Sequence, residues 1–246
     1  MIEETIPLGT GTGAMETFVT RPDETVRYPL VLFLMDALGI REELRDMCRR
    51  IASVGYLVVL PNLYHRDGGP SFDPSTLSRG WVDPRMEALN DALTMEHTVA
   101  DCEAVLDWAR QRNDVQWPGA VIGYCMGGRH AIAAAAAFPQ AFAAMASMHG
   151  GRLVSDAPDA PHRRIRQMQA EAYFAWADND PVAPLAHAQV IESELAARGR
   201  PYRLEHHIGA LHGFTFPERY CHHKAAAETV WCRLFSLFRR NLPAPT

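Results

Sequence analysis

The cysteine at position 125 stands in a setting that suits a nucleophile. The sequence around it reads Gly123-Tyr124-Cys125-Met126-Gly127, after an apolar run at 120–122 and before an alanine-rich segment. This Gly-x-Cys-x-Gly pattern is typical of a sharp turn from a buried strand into a helix, with the reactive side chain at the turn. Side chains in place of the two glycines would collide with neighbouring backbone. The turn would set the sulfur near a helix N-terminus, where N–H groups favour a thiolate.

A nucleophile of this kind needs a base, and His212 fits that role. In chains with such a turn the order is nucleophile, acid, histidine. His212 lies in an irregular loop after the last predicted strand, within Gly209-Ala210-Leu211-His212-Gly213-Phe214. The neighbouring histidines fit less well, because the pair at 206–207 falls on that strand and the pair at 222–223 opens a helix.

The acid that orients the histidine should follow a strand between these two positions. The segment Tyr173-Phe174-Ala175-Trp176-Ala177-Asp178-Asn179-Asp180-Pro181 provides two carboxylates. We favour Asp180, which lies in the loop just before Pro181, and Asp178 stays open as a rival. Either side chain could instead cap a helix or close an Asx turn.

Strands and helices alternate along the chain and would bring these residues to one edge of a sheet. A hairpin is predicted at 2–7 and 14–20, and Leu30–Leu34 reads as a strand covered on both faces. Further strands are predicted at 56–60, 120–124, 143–148, 172–176 and 202–206. Helical spacing runs from Leu44 to Val54, from Val99 to Ala109 and from about Lys224 to Arg240. The pattern predicts an α/β fold with a mainly parallel sheet and helices on both faces.

Length and composition fit one globular unit. The 246 residues, 48% of them hydrophobic, can bury one large core, so we expect a single domain spanning 1–246. The polar stretch 65–90 lacks a clear strand and is predicted to form a loop region over the site. The net charge of −5 and the lack of a spanning apolar run argue against nucleic-acid and membrane partners. Five widely spaced cysteines and a start without a signal-peptide pattern suggest reduced thiols and a cytoplasmic location.

Taken together, these motifs resemble the dienelactone hydrolase family, also called carboxymethylenebutenolidases. The resemblance covers almost the whole chain and is carried by Gly123–Gly128, His212-Gly213-Phe214, the Asp180 loop and the segment from Gly55 to Tyr64. It implies an α/β-hydrolase fold and a triad of Cys125, Asp180 and His212. It also implies that the backbone N–H groups of Ala37 and Met126 form the oxyanion hole. The implied activity is hydrolysis of esters or lactones through a thioester.

The chain departs from the family pattern at two positions near the expected site and matches it at a third. Where the family has a glutamate thought to help deprotonate the cysteine, this chain has the shorter Asp36, which could instead shape its loop. Arg66 matches in place one of the arginines that bind a substrate carboxylate, although a solvated surface role is an equal alternative. The second arginine, expected just after His212, is missing, and Arg219 is an imperfect substitute. We therefore expect a pocket less specialised for carboxylated lactones.

His149 is a further candidate for the pocket, because it follows a predicted strand at the edge of the sheet where ligands bind. A hydrogen-bonded loop histidine is the alternative there.

The implied chemistry needs no metal or cofactor, and the expected partner is a small ester or lactone. Two other functions stay open. One is a redox role for Cys125, which would need a resolving thiol, and the other is a hydrolase-fold protein that binds a small ligand without catalysis.

Overall fold

The computed structural model describes residues 1–79 and 82–246. Its centre is an eight-stranded sheet in the order β1-β2-β4-β3-β5-β6-β7-β8. β1 and β2 form the predicted hairpin, and β2 pairs antiparallel with β4, while all later pairings are parallel. The mainly parallel α/β fold predicted from the sequence is therefore confirmed. The strands are β1 (Ile2–Thr10), β2 (Gly13–Arg21), β3 (Tyr28–Leu34), β4 (Leu57–Pro61), β5 (Val115–Tyr124), β6 (Phe142–Met148), β7 (Glu171–Asn179) and β8 (Tyr202–Leu211).

Seven α-helices accompany the sheet within the described ranges. They are α1 (Glu42–Ala52), α2 (Pro84–Ala92), α3 (Met95–Arg110), α4 (Met126–Ala137), α5 (Pro161–Arg164), α6 (Leu185–Ala197) and α7 (Lys224–Asn241). Short 3₁₀ turns lie at His65–Asp67, Pro74–Arg79 and Ile165–Gln167. Strands β3 and β4 are buried along their whole length, as expected for strands covered on both faces.

Four parallel strands end at the same edge of the sheet, just before the candidate residues. β3 is followed by Asp36 after one intervening residue, β5 by Cys125, β7 by Asp180 and β8 by His212. The carboxyl ends of parallel strands are where open α/β sheets bind ligands. The topology thus gathers residues that are far apart in the sequence.

The stretch 65–90 contains two 3₁₀ turns and the start of α2, with residues 80 and 81 lying outside the described part. Only Met86 and Leu89 of α2 are buried, so the helix leaves little hydrophobic pattern in the sequence. Among the helices of the described ranges, none combines the length and the apolar character needed to cross a membrane.

Candidate active site

Cys125 occupies a strained turn between β5 and α4. Its backbone lies in the positive-φ region, with φ of 51° and ψ of −114°, and the residue is the N-cap of α4. Such a conformation is unusual for a residue other than glycine and is held here by the packing around it. A Cβ on Gly123 would overlap the backbone of Gly127, and one on Gly127 would overlap the carbonyl oxygen of Leu34. The glycines are therefore required by close backbone packing.

The three candidate catalytic side chains lie in hydrogen-bond contact. His212 Nε2 is 3.0 Å from Cys125 Sγ, and His212 Nδ1 is 2.7 Å from Asp180 Oδ2. The second oxygen of Asp180 accepts hydrogen bonds from the N–H groups of Val182 and Ala183, at 2.9 and 3.1 Å. The imidazole is thus fixed between the sulfur and a carboxylate that its own loop holds in place.

The two rival carboxylates differ in their surroundings. The Asp180 side chain is closed off from solvent and contacts His212. Asp178 is exposed, and its Oδ2 accepts one hydrogen bond, 3.3 Å long, from the N–H of Gly209. The geometry therefore favours Asp180 as the residue that orients His212.

The ionisation of Cys125 and His212 is coupled. Burial opposes a charged sulfur, but the charge of His212, its hydrogen bond and the charge of Arg219 outweigh burial and lower the pKa of Cys125. Burial likewise opposes a charged imidazole, but the Cys125 charge and the hydrogen bond to Asp180 raise the pKa of His212 to about 10. These opposite shifts favour the ionised form of the pair, a thiolate beside an imidazolium, over the neutral form.

A cavity of about 220 Å³ opens beside Cys125 and His212. The region predicted to form a loop over the site supplies part of its wall through Leu77, Val82 and Met86. Apolar groups dominate the lining, which suits a small organic substrate. The remaining lining residues are Ala37, Leu38, Glu87, Asn90, Arg152, Val182 and Arg219. Three of the lining residues, Met86, Glu87 and Asn90, belong to α2. In the sequence, only their position within the stretch 65–90 connects them with the site.

The amides expected to form the oxyanion hole lie on two segments beside the sulfur. Ala37 follows β3 and lines the cavity, and Met126 is the first residue of α4, where N–H groups have no partner within the helix. Within the described part of the chain, neither amide donates a hydrogen bond to another residue. Among the described residues, no protein acceptor would therefore have to be displaced before either amide could donate to a ligand.

Asp36 is buried in an ion-pair cluster. Arg41 donates to both of its oxygens, at 2.8 and 3.1 Å, and Arg219 also donates to Oδ2. Its Oδ1 also accepts from the N–H of Leu38 at 3.1 Å, which closes the turn after β3. Among the described residues, no hydrogen bond joins Asp36 to the sulfur, whose side-chain partner is His212. The geometry matches the loop-shaping alternative raised by the sequence.

Arg66 lies outside the cavity. Its two terminal nitrogens donate to Asp101 at 2.8 and 2.7 Å, and His65 Nε2 is 3.1 Å from the same carboxylate. Asp101 belongs to α3 and is fully buried. The arginine therefore ties the turn after β4 to α3. The structure does not place it among the residues that line the cavity beside Cys125.

His149 packs against His212 and is not among the residues that line the cavity. It is 1% exposed, its Nε2 is 2.7 Å from the hydroxyl of Thr215, and its ring packs edge-on against His212 with centroids 5.3 Å apart. Burial lowers its pKa well below the ordinary range. This neutral imidazole therefore supports the ring of His212 from inside the protein.

Comparison with known proteins agrees with this fold. Residues 15–242 match the dienelactone hydrolase family. A protein of Salmonella typhi named "Putative carboxymethylenebutenolidase" is 29% identical over 216 residues, covering 85% of this chain and 76% of that protein. The carboxymethylenebutenolidase of Rhodococcus opacus is 26% identical over 221 residues, covering 86% and 81%.

The crystal structure of a protein from Klebsiella pneumoniae, named "Putative Dienelactone Hydrolase", superimposes on this chain with a TM-score of 0.84 at 24% sequence identity. The match covers 97% of this chain and 98% of that one, which shows a shared fold. The family match spans most of the chain and includes the strands and turns that carry the site. The chain therefore belongs to the dienelactone hydrolase family and is a hydrolase with an α/β-hydrolase fold.

Proposed function

We propose that this protein hydrolyses carboxylic esters or lactones, with Cys125 as nucleophile, His212 as acid and base, and Asp180 as the group that orients His212. The observation that carries the proposal is the continuous contact from Sγ through the imidazole to the carboxylate, at 3.0 and 2.7 Å. Such a chain of nucleophile, base and orienting group is the arrangement used for covalent acyl transfer.

Acylation begins from the ion pair. The Cys125 thiolate adds to the carbonyl carbon, and the carbonyl π electrons move to oxygen. The resulting oxyanion accepts hydrogen bonds from the amides of Ala37 and Met126. When the intermediate collapses, the carbon–oxygen bond of the ester breaks, and the leaving alkoxide takes the proton of the His212 imidazolium. The products are a thioester on Cys125, an alcohol and a neutral imidazole.

Deacylation reverses the proton flow. Neutral His212 removes a proton from water as the water oxygen adds to the thioester carbonyl, and the same two amides stabilise the second oxyanion. Collapse breaks the carbon–sulfur bond and releases the carboxylic acid. Cys125 leaves as a thiolate and His212 stays protonated, so the resting ion pair is restored. For a lactone, the alcohol and the acid belong to one product molecule.

Purified protein assayed on short aryl esters and on neutral and carboxylated lactones tests the proposal. Wild-type protein should hydrolyse members of this panel, and Cys125→Ala should lose activity. Rapid quenching followed by mass spectrometry should show an acyl group on the peptide that contains Cys125. The matched control is Cys232→Ser, which changes an exposed cysteine on α7 and should keep wild-type activity.

Alkylation gives a second test of the nucleophile. Iodoacetamide should label Cys125 before the buried Cys48 and Cys102, because burial raises the pKa of both of those thiols. Hydrolysis should disappear in step with labelling of Cys125. Full activity in protein with Cys125 completely alkylated would refute the covalent mechanism. Hydrogen peroxide consumption without ester hydrolysis would point to the redox alternative.

A further inference from the structure

Tyr64 lies in the turn that follows β4 and is directed into the protein. The residue is 1% exposed, and its N–H donates to the side chain of Asn62 at 3.1 Å. Asn62 also donates to the carbonyl of Gly69 at 3.2 Å, so the turn is held at several points. The tyrosine ring is therefore fixed by its own backbone turn and does not depend on a ligand for its position.

The phenol hydroxyl of Tyr64 joins the two segments beside Cys125. It lies 3.1 Å from the carbonyl oxygen of Ala37 and 3.2 Å from the sulfur of Met126. Ala37 belongs to the turn after β3, whereas Met126 begins α4. In the proposed function these are the two residues whose amides bind the oxyanion. One buried hydroxyl thus contacts both halves of the oxyanion hole.

The surroundings keep this hydroxyl a donor. Burial, together with the charges of Asp36 and Cys125, raises the pKa of Tyr64, so the phenol stays protonated across the neutral range. The turn after β3 is held on its other side by the ion pairs of Asp36 and by the hydrogen bond from Gly39 N–H to Asp36 carbonyl, at 3.2 Å. Tyr64 adds a side-chain contact that links this turn to the start of α4, beside the direct packing of Gly127 on the end of β3.

We propose that Tyr64 is a positioning residue that sets the separation of the Ala37 and Met126 amides in the oxyanion hole. The inference rests on the proposed function. Oxyanion donors must lie at a distance that fits the tetrahedral oxygen, since one lost donor costs about 10²–10³ in kcat. Loss of the hydroxyl leaves both donors present but without their common contact. We expect a smaller effect, a fall in kcat of about 10- to 100-fold with KM nearly unchanged.

The test compares Tyr64→Phe with the control Tyr28→Phe. The hydroxyl of Tyr28 also donates to a backbone carbonyl, that of Glu24 at 3.0 Å, but at the start of β3 and away from the site. Each protein is assayed for kcat and KM on an aryl ester, for melting temperature and for the alkylation rate of Cys125. Iodoacetamide reports the nucleophile alone, because displacement of iodide at a saturated carbon forms no oxyanion.

For Tyr64→Phe we expect kcat to fall at least tenfold while the KM and the alkylation rate stay within twofold of wild type. Tyr28→Phe should retain wild-type kcat. An unchanged kcat in Tyr64→Phe overturns the inference, and so does a parallel fall of kcat and alkylation, which would mean that Tyr64 supports the nucleophile. If wild-type protein hydrolyses no ester, the proposed function fails and this inference fails with it.

A second variant keeps the test decisive if Tyr64→Phe does not fold. Met126→Leu retains the amide and approximate shape of the side chain but removes the sulfur that contacts the hydroxyl. We expect kcat to fall severalfold with alkylation unchanged. A wild-type kcat in Met126→Leu would show that the contact between Tyr64 and Met126 has no part in catalysis and would overturn the inference.

Discussion

Asp36 and Arg219 form an ion pair that is closed off from solvent, with side chains 0% and 5% exposed. The partners are 183 positions apart in the sequence, and Arg41 donates to both oxygens of the same carboxylate. The two arginines therefore occupy the oxygens that a base would need. The charge of Arg219 also lowers the pKa of Cys125, whereas the charge of Asp36 raises it. These effects favour a structural role for Asp36 over removal of the thiol proton.

The first prediction separates these two roles with Asp36→Asn. Loss of the carboxylate leaves the buried guanidinium of Arg219 without its counterion, whereas Arg41 keeps Glu43. The free energy of unfolding should therefore fall by about 3–5 kcal/mol. The alkylation rate of Cys125 at neutral pH should stay the same or rise, because a charge that raises its pKa is gone. Asp46→Asn, in an exposed pair with Arg49 on α1, is the control and should change stability by about 1 kcal/mol or less. A folded Asp36→Asn protein with tenfold slower alkylation would identify Asp36 as the activating base.

The second prediction concerns the acid of the triad. Asp180→Asn should lower kcat/KM by about 10³- to 10⁴-fold, since the amide cannot stabilise the imidazolium or fix its tautomer. Asp178→Asn should cost about twofold or less, because that side chain is exposed and, within the described part of the chain, accepts a hydrogen bond only from the Gly209 amide. Steady-state kinetics on one aryl ester measures both variants. A larger loss in the Asp178 variant would reassign the acid.

The third prediction is a pH profile that follows from the two shifted pKa values. The pKa of Cys125 is lowered, so kcat/KM should rise with pH below the ordinary thiol value of about 8.5. The pKa of His212 is raised to about 10, so activity should fall as the pH passes that value and the imidazolium loses the proton that the leaving group needs. Because Cys125 and His212 interact, the rise and the fall of activity with pH report the titration of the pair and not of either residue alone.

Alkylation rates measured against pH provide the control for this profile. In wild-type protein the alkylation rate should rise with pH over the same range as kcat/KM, which is the acid limb of the profile. In His212→Ala it should move up towards the ordinary thiol range, because the main group that lowers the pKa of Cys125 is absent. An acid limb at about 8.5 in wild-type protein would contradict a resting ion pair.

The fourth prediction concerns Arg66. Arg66→Ala leaves the fully buried carboxylate of Asp101 with His65 as its remaining side-chain partner, so the free energy of unfolding should fall by about 3 kcal/mol. The ratio of kcat/KM for two esters that differ only in a distal carboxylate should not change, because Arg66 lies outside the cavity. Arg166→Ala, which breaks an exposed pair with Glu194, is the stability control. A tenfold change in that ratio would show that Arg66 reaches the substrate.

Much of the fold could be read from local pattern. Continuous apolar runs such as Leu30–Leu34 mark strands covered on both faces, and β3 contains that run. Two helices were harder to detect. α2 and α6 bury few side chains, and in α6 only Ala188, Ile191 and Leu195 are buried, so neither helix has a strong apolar stripe.

The candidate site was predictable only where motif and chain order constrain it. The turn around Cys125 and the loop around His212 follow strand ends, and the structure brings the two side chains into contact. The partners of Asp36 and Arg66 were not predictable, because they depend on how segments far apart in the sequence pack together. A single sequence shows that a charge is present, but it does not show which opposite charge the fold places beside it.

The strained backbone at Cys125 has a consequence for redesign of this enzyme. The turn is fixed by the fit of Gly123 and Gly127 against neighbouring backbone. The nucleophilic atom of residue 125 can therefore be exchanged more readily than the two glycines around it. A serine there can adopt the same conformation, so sulfur and oxygen chemistry can be compared on one unchanged scaffold. Libraries that seek new substrates should therefore leave the turn untouched and diversify the cavity wall at Leu77, Met86 and Val182.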